Sequence, residues 1–366
     1  MRIALLGPAV SIHLQRWVQA LVVRGHAVCV LTQDPCERAL LPAAVDLVEL
    51  PRRGSFGFFA NAPRVRHELA HWRPDIVNAH YASGYGTTAA LCGVRPVLLS
   101  VWGSDVYDFP YRSALKGWLL RRNLRSADAI ASTSQAMARQ VQRLVPSIGE
   151  IAITPFGVDL ERFQPASAER DAAVLTIGIV KTLAPKYGID LLLRAFAGLV
   201  AHERVQACRL LIVGDGPQRA ELEALARELG IAAQTEFVGA VAHAEVPTWL
   251  NRFDIYAAPS RLDSESFGVA VIEASACALP VVVSDAGGLP EVVRDGETGL
   301  IVPRDDVAAL QAALRRLVLD AALRERLGRG GRAHVQRAYD WGHCVDVMER
   351  CYERVVQAHH AQLASR

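Results

Sequence analysis

The sequence predicts an α/β protein built from two doubly wound, Rossmann-like parallel sheets. Three observations predict it: the chain has 366 residues, 51% of them are hydrophobic, and short apolar runs alternate with segments of helical periodicity. At about 100–200 residues per domain, this length predicts two domains. Short buried runs separated by amphipathic helices are typical of parallel sheets that carry helices on both faces.

The first domain is predicted over residues 1–164. Its opening βαβ unit has a strand at 3–6, a helix whose apolar face includes Trp17 and Leu21, and a second strand at 27–31. The other strands predicted here are 45–50, 75–79, 97–101, 129–132 and 151–154.

Residues 156–172 lose the apolar periodicity and are predicted to contain the linker. A second domain is predicted over 173–339, with strands at 173–179, 210–214, 235–238, 254–257, 281–284 and 299–302. Its predicted helices are 188–199, 217–230, 246–251, 267–278, 289–294 and 307–319. Residues 340–366 form a helix after this sheet, which we expect to cross back to the first domain. The carboxyl ends of the two sheets are expected to face each other across a cleft.

Charge and cysteine content exclude several other classes of protein. Forty Lys and Arg residues against 38 Asp and Glu residues give a net charge of +2, so no nucleic-acid partner is expected. The seven cysteines form no C-x-x-C pair and no metal-ligand cluster, which indicates reduced core thiols. No run of about 18 uncharged apolar residues is present. We expect a cytoplasmic chain, one that contacts membranes only from the side.

Two glutamates separated by seven residues are the strongest chemical signal. Glu265 is expected in a loop and Glu273 on the helix that begins near Phe267. Their carboxylates can accept hydrogen bonds from sugar or ribose hydroxyls, and the free amides of Phe267 and Gly268 can bind a phosphate. The simpler alternative is two solvated glutamates. Burying Glu273 in its apolar segment without a partner would cost several kcal/mol, which disfavours that alternative for this residue.

Two lysines, Lys181 and Lys186, lie in the loop after the first strand of the second domain. A nucleotide pyrophosphate needs such positive charge, and ammonium groups held in a water-poor site stabilise the charge that develops on a leaving phosphate. The alternative is a turn with two surface lysines. A second glycine-containing loop, Gly214-Asp-Gly216, begins like a dinucleotide fingerprint, but Arg219 stands at the third glycine position. We predict a tight strand-to-helix turn there.

Across these loops, and over nearly the whole chain, the sequence resembles the family-4 glycosyltransferases, retaining enzymes of the GT-B architecture with an E-x7-E motif. The segments that support the resemblance, besides the two loops, are 24–28, 74–80, 155–159, 213–217, 237–239 and 287–291.

The resemblance implies a UDP- or GDP-linked sugar as donor in the second domain and an acceptor in the first. It implies that Lys181 and Lys186 bind the pyrophosphate, Glu273 the ribose and Glu265 the donor sugar. Three further residues are implied beside the base: Phe237, Val238 and Gly239. No metal or other cofactor is implied.

Three positions depart from the family pattern. Lys181 stands where members usually have Arg, which keeps the charge but loses the bidentate fork. The first loop, which admits donor and acceptor, reads Gly7-Pro8-Ala9 in place of a Gly-Gly pair and is stiffened by the proline. Trp102 stands where many members have a His that contacts the donor sugar. The candidate replacements are His13, His80 and Asp105.

Two segments of the first domain combine basic and apolar residues. Residues 111–126 hold five basic residues and no acid, and residues 52–59 form an aromatic and basic loop. Such segments can lie on an anionic bilayer, and their place in the acceptor domain makes a lipid-linked acceptor plausible. The alternative for 111–126 is an amphipathic helix packed on the sheet with a solvated basic face.

The sequence therefore predicts a retaining glycosyltransferase that acts on a hydroxyl of a glycan or lipid-linked acceptor, in bacterial surface polysaccharide or lipopolysaccharide synthesis. The residues expected to take part in catalysis are Glu265, Lys186, Lys181, Asp105 and His80. Two alternatives remain open: a sugar-nucleotide epimerase of the same architecture, and a non-catalytic protein that binds nucleotide sugars.

Overall fold

The computed structural model describes residues 1–166, 174–201 and 207–365. The chain divides into two compact units, Met1–Pro155 with Cys344–Arg366, and Phe156–His343. Residues 167–172 of the segment 156–172 predicted to contain the linker, and the first residue of the strand predicted at 173–179, lie outside the described residues.

The first unit contains a seven-stranded sheet in which every paired strand is parallel, in the order β3-β2-β1-β4-β5-β6-β7. Its strands are β1 Arg2–Leu6, β2 Ala27–Thr32, β3 Asp46–Glu49, β4 Ile76–His80, β5 Val97–Val101, β6 Ala129–Ser132 and β7 Ile151–Ile153. Its helices are α1 Ile12–Val23, α2 Gly54–Ala60, α3 Ala62–Trp72, α4 Tyr85–Cys92, α5 Ser104–Tyr107, α6 Ala114–Ser126 and α7 Gln135–Leu144.

The second unit contains a six-stranded parallel sheet in the order β10-β9-β8-β11-β12-β13. Its strands are β8 Leu175–Val180, β9 Cys208–Val213, β10 Thr235–Gly239, β11 Ile255–Ala258, β12 Val281–Ser284 and β13 Gly299–Val302. Its helices are α8 Ile189–Val200, α9 Arg219–Glu228, α10 Val246–Leu250, α11 Val269–Ala276, α12 Leu289–Val292, α13 Val307–Leu319 and α14 Ala321–Ala338. The predicted fold class of two Rossmann-like parallel-sheet domains is confirmed.

Both sheets are wound outward from a central pair of strands, β1 and β4 in the first unit and β8 and β11 in the second. At these pairs the strand order reverses, so the loops that follow the two strands lead away from each other. A crevice opens there at the carboxyl edge of the sheet, which is where ligands of doubly wound folds bind. The central strands are almost wholly buried because helices cover both faces, as their continuous apolar runs require.

Two helices differ from the sequence-based prediction. Residues 52–59 were expected to form a loop, but Gly54–Ala60 is the helix α2, and its Phe58 ring packs edge-on against Tyr85 at 5.1 Å. Helix α14 was not predicted, because Gly328, Gly330 and Gly331 weaken its helical propensity. At Gly328 a Cβ would collide with the carbonyl oxygen of Ala278, so the missing side chain allows close packing.

The boundary between the units also differs from the predicted one. Residues 156–164, expected in the first domain, belong to the second unit. There the backbone amide of Val158 donates to the Tyr339 carbonyl at 2.8 Å, and Phe163 is buried. Long-range backbone pairing of this kind leaves no trace in the local apolar periodicity.

The C-terminal helix α15 spans Trp341–Ala364, and its residues from Cys344 onward belong to the first unit. Its fully buried Tyr352 accepts a hydrogen bond from the Asn78 amide of β4 at 2.8 Å. On its exposed side, Glu349 pairs with His26 at 2.6 Å. Among the described residues, no helix combines the length and the apolar character needed to cross a membrane.

The hydrogen bond between Asn78 and Tyr352 predicts a stability effect. Tyr352→Phe removes the acceptor of a buried amide, and we expect it to lower the free energy of unfolding of the first unit by about 1–2 kcal/mol. Thermal and urea unfolding measure this, with the exposed Glu353→Gln as the control on the same helix. An unchanged midpoint for Tyr352→Phe would contradict the assigned contact.

Candidate active site

The crevice between β8 and β11 contains a buried ion pair. Lys181, the first residue after β8, places its Nζ 2.8 Å from Oε1 of Glu265, in the loop after β11. The Glu265 side chain is 7% exposed and that of Lys181 is 19% exposed. Burial alone would lower the pKa of Lys181, but the Glu265 carboxylate outweighs it, so the pKa lies above its usual value. The lysine is therefore held as a cation in a mostly dry site.

Both lysines of the predicted loop contact the same aromatic ring. The Nζ atoms of Lys181 and Lys186 lie 4.5 Å and 4.7 Å from the ring centroid of Tyr187. The negative charge on a ring face attracts an ammonium group at such a distance, so Tyr187 stabilises both lysines. Tyr187 was not among the predicted site residues. Its position next to Lys186 was the only sequence signal available.

The turn that follows β9 supports the lysine loop. The amide of Lys181 donates to the Val213 carbonyl at 2.9 Å, and the amide of Leu183 donates to the Asp215 carbonyl at 3.0 Å. Gly214 has a φ of 137°, and a Cβ there would collide with the carbonyl oxygen of Lys181. Gly214-Asp-Gly216 is thus a tight turn packed on the lysine loop, which agrees with the predicted strand-to-helix turn.

The Glu265 loop is held by the segment after β12. The amide of Gly288 donates to the Glu265 carbonyl at 3.0 Å, and a Cβ at Gly287 would collide with that same carbonyl. Helix α11 starts two residues later than predicted, at Val269, after Gly268 with a φ of 101°. Within the described residues, the amides of Phe267 and Gly268 donate to no acceptor. The Phe267 side chain itself is buried in the core of the unit.

Glu273 is buried on α11 and is 4% exposed, which excludes the alternative of a solvated helix-surface glutamate. Its Oε1 lies 2.9 Å from Nε2 of His243, in the segment after β10. His243 was missed by the sequence reasoning, because nothing local marks it as the partner of a residue 30 positions away. One carboxylate oxygen of Glu273 therefore contacts the His243 ring.

The two glutamates and the two lysines belong to one cluster. Glu273 acts electrostatically on Lys181 and, with Glu265, on the buried Tyr256 of β11. Burial raises the pKa of Tyr256, and the two carboxylates raise it further, so its hydroxyl stays protonated and donates to the Val180 carbonyl at 3.3 Å. Lys186 joins the cluster through Tyr187.

The predicted base-binding residues, Phe237, Val238 and Gly239, end β10 next to this cluster. The amide of Gly214 donates to the Gly239 carbonyl at 2.8 Å, which ties the end of β10 to the turn beneath the lysine loop. Arg219 donates to the Phe237 carbonyl at 3.1 Å and pairs with Glu223 at 2.9 Å. Arg219 occupies the position where a dinucleotide fingerprint has its third glycine, and in this chain it fixes the strand end.

The other predicted residues lie in the first unit, at the crevice between β1 and β4. Gly7 follows β1, and a Cβ there would come within 3.3 Å of the His80 side chain. His80 is fully buried, and neither ring nitrogen has a hydrogen-bond partner among the described residues. Its ring lies 4.7 Å from that of Trp102, which also neighbours Tyr81 at 5.1 Å and His13 at 6.0 Å.

Asp105 supports the backbone of this crevice. Its carboxylate accepts hydrogen bonds from the amides of Ala82, Trp102 and Gly103 at 2.8, 3.2 and 2.9 Å. Burial raises the pKa of Asp105, although the three amides act in the opposite direction. The side chain is 1% exposed, so it acts on the loop that carries Trp102.

The buried His80 predicts an acid-dependent loss of stability. Burial lowers its pKa from 6.5 to about 3, so below pH 6.5 the unfolded chain binds a proton that the folded chain excludes. Between pH 7 and 4.5 this group should cost the first unit roughly 2–3 kcal/mol. We expect His80→Gln to lose less stability over this interval than the native chain, measured by thermal unfolding at both pH values. The exposed His360→Gln should behave like the native chain, and equal acid sensitivity of all three proteins would contradict the buried, neutral His80.

Comparison with known proteins identifies two family matches that together cover most of the chain. Residues 160–334 match the family described as glycosyl transferases group 1, and residues 2–134 match the family described as glycosyl transferase 4-like. The match over residues 2–134 covers the sheet of the first unit up to β6. The match over residues 160–334 contains the lysine loop and both glutamates.

Similar proteins extend these matches. A GDP-mannose-dependent α-(1-6)-phosphatidylinositol monomannoside mannosyltransferase of Mycolicibacterium smegmatis is 30% identical over 277 residues, 70% of this chain and 69% of that protein. A D-inositol 3-phosphate glycosyltransferase of Saccharomonospora viridis is 34% identical over 63% of this chain and 57% of its own length. The solved sucrose-phosphate synthase of Thermosynechococcus elongatus has a TM-score of 0.84 at 24% identity, covering 98% and 100% of the two chains, and so shares the fold.

Proposed function

Because the chain belongs to the family-4 glycosyltransferases, we propose that it is a retaining enzyme that moves a sugar from a nucleotide diphosphate to a hydroxyl of a glycan or lipid-linked acceptor. The observation that carries the proposal is the charge arrangement of the second unit. There two ammonium groups, two buried carboxylates and the start of α11 lie around one crevice.

Each group of the cluster has a proposed partner in the donor. Lys181 and Lys186 bind the diphosphate, together with the amides of Phe267 and Gly268 ahead of α11. Glu273, held by His243, accepts the ribose hydroxyls with its second oxygen. Glu265 orients the donor sugar, and its contact with Lys181 joins the sugar and phosphate positions.

The chemistry follows from where charge develops. When the bond between the sugar and the diphosphate breaks, negative charge collects on the departing phosphate oxygen, and the fixed cations stabilise it without reorganisation. The acceptor oxygen bonds to the same sugar carbon from the face that the diphosphate leaves, and its proton passes to the departing phosphate oxygen. This route needs neither a protein nucleophile nor a metal ion.

The similar mannosyltransferases support a more specific donor and acceptor. Their names specify GDP-mannose and a phosphatidylinositol-linked acceptor, so we propose a GDP-linked sugar as the first donor to test and a UDP-linked sugar as the second. For the cellular role we propose bacterial surface polysaccharide, lipopolysaccharide or glycolipid synthesis at the cytoplasmic face of the membrane. Peripheral membrane contact through residues 111–126 and 52–59 belongs to the same proposal.

In the first unit, we propose that His80 and Asp105 act by positioning. Asp105 fixes the loop that carries Trp102, and the neutral His80 packs against the Trp102 ring.

Two substitutions test the donor cluster. Glu273→Ala and Lys186→Ala should each lower transfer by at least about 10²-fold, because each removes a charged group that contacts the donor in this proposal. For the partly exposed Lys186, the thermal midpoint should stay near the native value. The matched controls are the exposed Glu228→Ala and Arg227→Ala on α9. Near-native turnover in either test variant would overturn the assignment. A product with inverted anomeric configuration, read by NMR, would overturn the retaining mechanism alone.

A nucleotide screen separates the donors and the alternatives. At about 100 times its dissociation constant, the correct nucleoside diphosphate should stabilise the chain by roughly 2.7 kcal/mol, seen as a raised midpoint of the second unit. We expect GDP to exceed UDP and ADP, and Glu273→Ala to abolish the shift. Nucleotide binding without transfer to any lipid or glycan would favour a non-catalytic binding protein. Conversion of the donor sugar without an acceptor would favour an epimerase.

A further inference from the structure

The first unit contains an apolar cavity of about 520 Å³, lined in part by residues of 52–59 and 111–126, the two segments for which membrane contact was predicted. Its walls come from α2, α4, α6 and the turn before α6, and the apolar side chains include Phe58, Phe59, Tyr85, Phe109, Leu115 and Leu119. Its size falls within the range of about 300–1,000 Å³ that is typical of small-molecule sites.

One end of this cavity reaches the carboxyl edge of the sheet. Pro8 after β1, Asp34 after β2 and Tyr81 after β4 all line it. The hydroxyl of Tyr85 donates to Oδ2 of Asp34 at 2.5 Å and so orients that carboxylate. This polar end lies beside the crevice between β1 and β4, where a ligand of the fold would sit.

The mouth of the cavity is apolar and exposed. Phe59 and Leu115 line the cavity, yet they are 45% and 71% exposed. Phe56 and Trp118, on the same two helices, are 74% and 56% exposed. Exposed apolar side chains on the two helices that line the cavity are suited to contact with an apolar phase.

Two cations are part of the lining. Arg112 is exposed, and Lys116 is half-buried with its Nζ 5.8 Å from the ring centroid of Phe109. Only three of the 40 basic residues of the chain are lysines: two form the donor loop, and the third is Lys116. A pair of cations on an otherwise apolar wall complements a ligand that carries both a phosphate and a hydrocarbon chain.

We propose that this cavity binds an anionic phospholipid as the acceptor. One acyl chain lies between Phe58, Phe59 and Leu119, the phosphate contacts Arg112 and Lys116, and the headgroup hydroxyl reaches the Asp34 end. The occupant is a phospholipid because the wall combines aromatic and aliphatic side chains, which suit an acyl chain, with Arg112 and Lys116, which suit a phosphate. This inference rests on the proposed glycosyl transfer and names its acceptor class.

Titration calorimetry with monomeric dioctanoyl phosphatidylglycerol, in the absence of any nucleotide sugar, tests the proposal on the full chain. We expect saturable binding of one molecule, and binding at least tenfold weaker for dioctanoyl phosphatidylcholine and for inorganic phosphate. Binding of farnesyl phosphate in preference to the phospholipid would overturn the lipid class.

Variants distinguish lipid binding in the cavity from binding to any basic surface. Leu119→Trp, which fills the cavity, and the pair Arg112→Gln with Lys116→Gln should each weaken binding at least tenfold. The pair Arg122→Gln with Arg125→Gln removes the same charge from the same segment, 111–126, at positions that do not line the cavity, and should stay within twofold of the native chain. Equal weakening by both pairs would overturn the proposal, as would native affinity in Leu119→Trp. Phe59→Gln, at an exposed position, replaces Leu119→Trp if that variant fails to fold.

Failure here is distinguishable from failure of the glycosyltransferase assignment. Nucleotide binding is measured on the same variants by thermal shift. We expect it to be unchanged, since the cavity belongs to the first unit and the donor cluster to the second. If the cavity does not bind lipid, the nucleotide shift and its loss in Glu273→Ala remain as before. If the donor assignment fails, the lipid titration keeps its result.

Discussion

The contact between Lys181 and Glu265 depends directly on the topology of the second sheet. Because β8 and β11 are neighbours although β9 and β10 intervene in sequence, the loop after each strand reaches the same crevice. A buried ion pair contributes little net stability, because desolvation of both charges offsets their attraction. Its presence in a mostly dry crevice agrees with the proposed donor binding, since it keeps a cation and a carboxylate in place before any ligand arrives.

Two glycines position the loops that carry this ion pair. Gly214 and Gly287 allow one backbone to lie directly on another, the first beneath Lys181 and the second beneath Glu265. Neither glycine contacts a ligand in our proposal. A Cβ at either position would collide with the backbone that carries the charged side chain and force it to move, whereas preorganised electrostatic stabilisation requires a fixed geometry.

The two crevices form at the same point of the strand order, but different side chains line them. In the second unit the loops after the central strands carry charge. In the first unit the corresponding loops bring together a neutral His80, the Trp102 ring and an apolar cavity with two cations in its wall. In our proposal the second unit binds a polyanion and the first unit binds an amphiphile. A shared fold thus leaves function to the side chains at the strand ends.

The sequence by itself determined the alternation of strands and helices, the two-domain organisation of the fold, and the lysine and glutamate motifs, because each is encoded locally by periodicity or spacing. Only the tertiary structure decided that Glu273 pairs with His243, that both lysines share Tyr187, and that Asp105 holds a loop. It also decided that residues 54–60 form a helix and that α14 forms despite its glycines. These features depend on packing and burial, and some of them on contacts between residues distant in the chain, which no local pattern records.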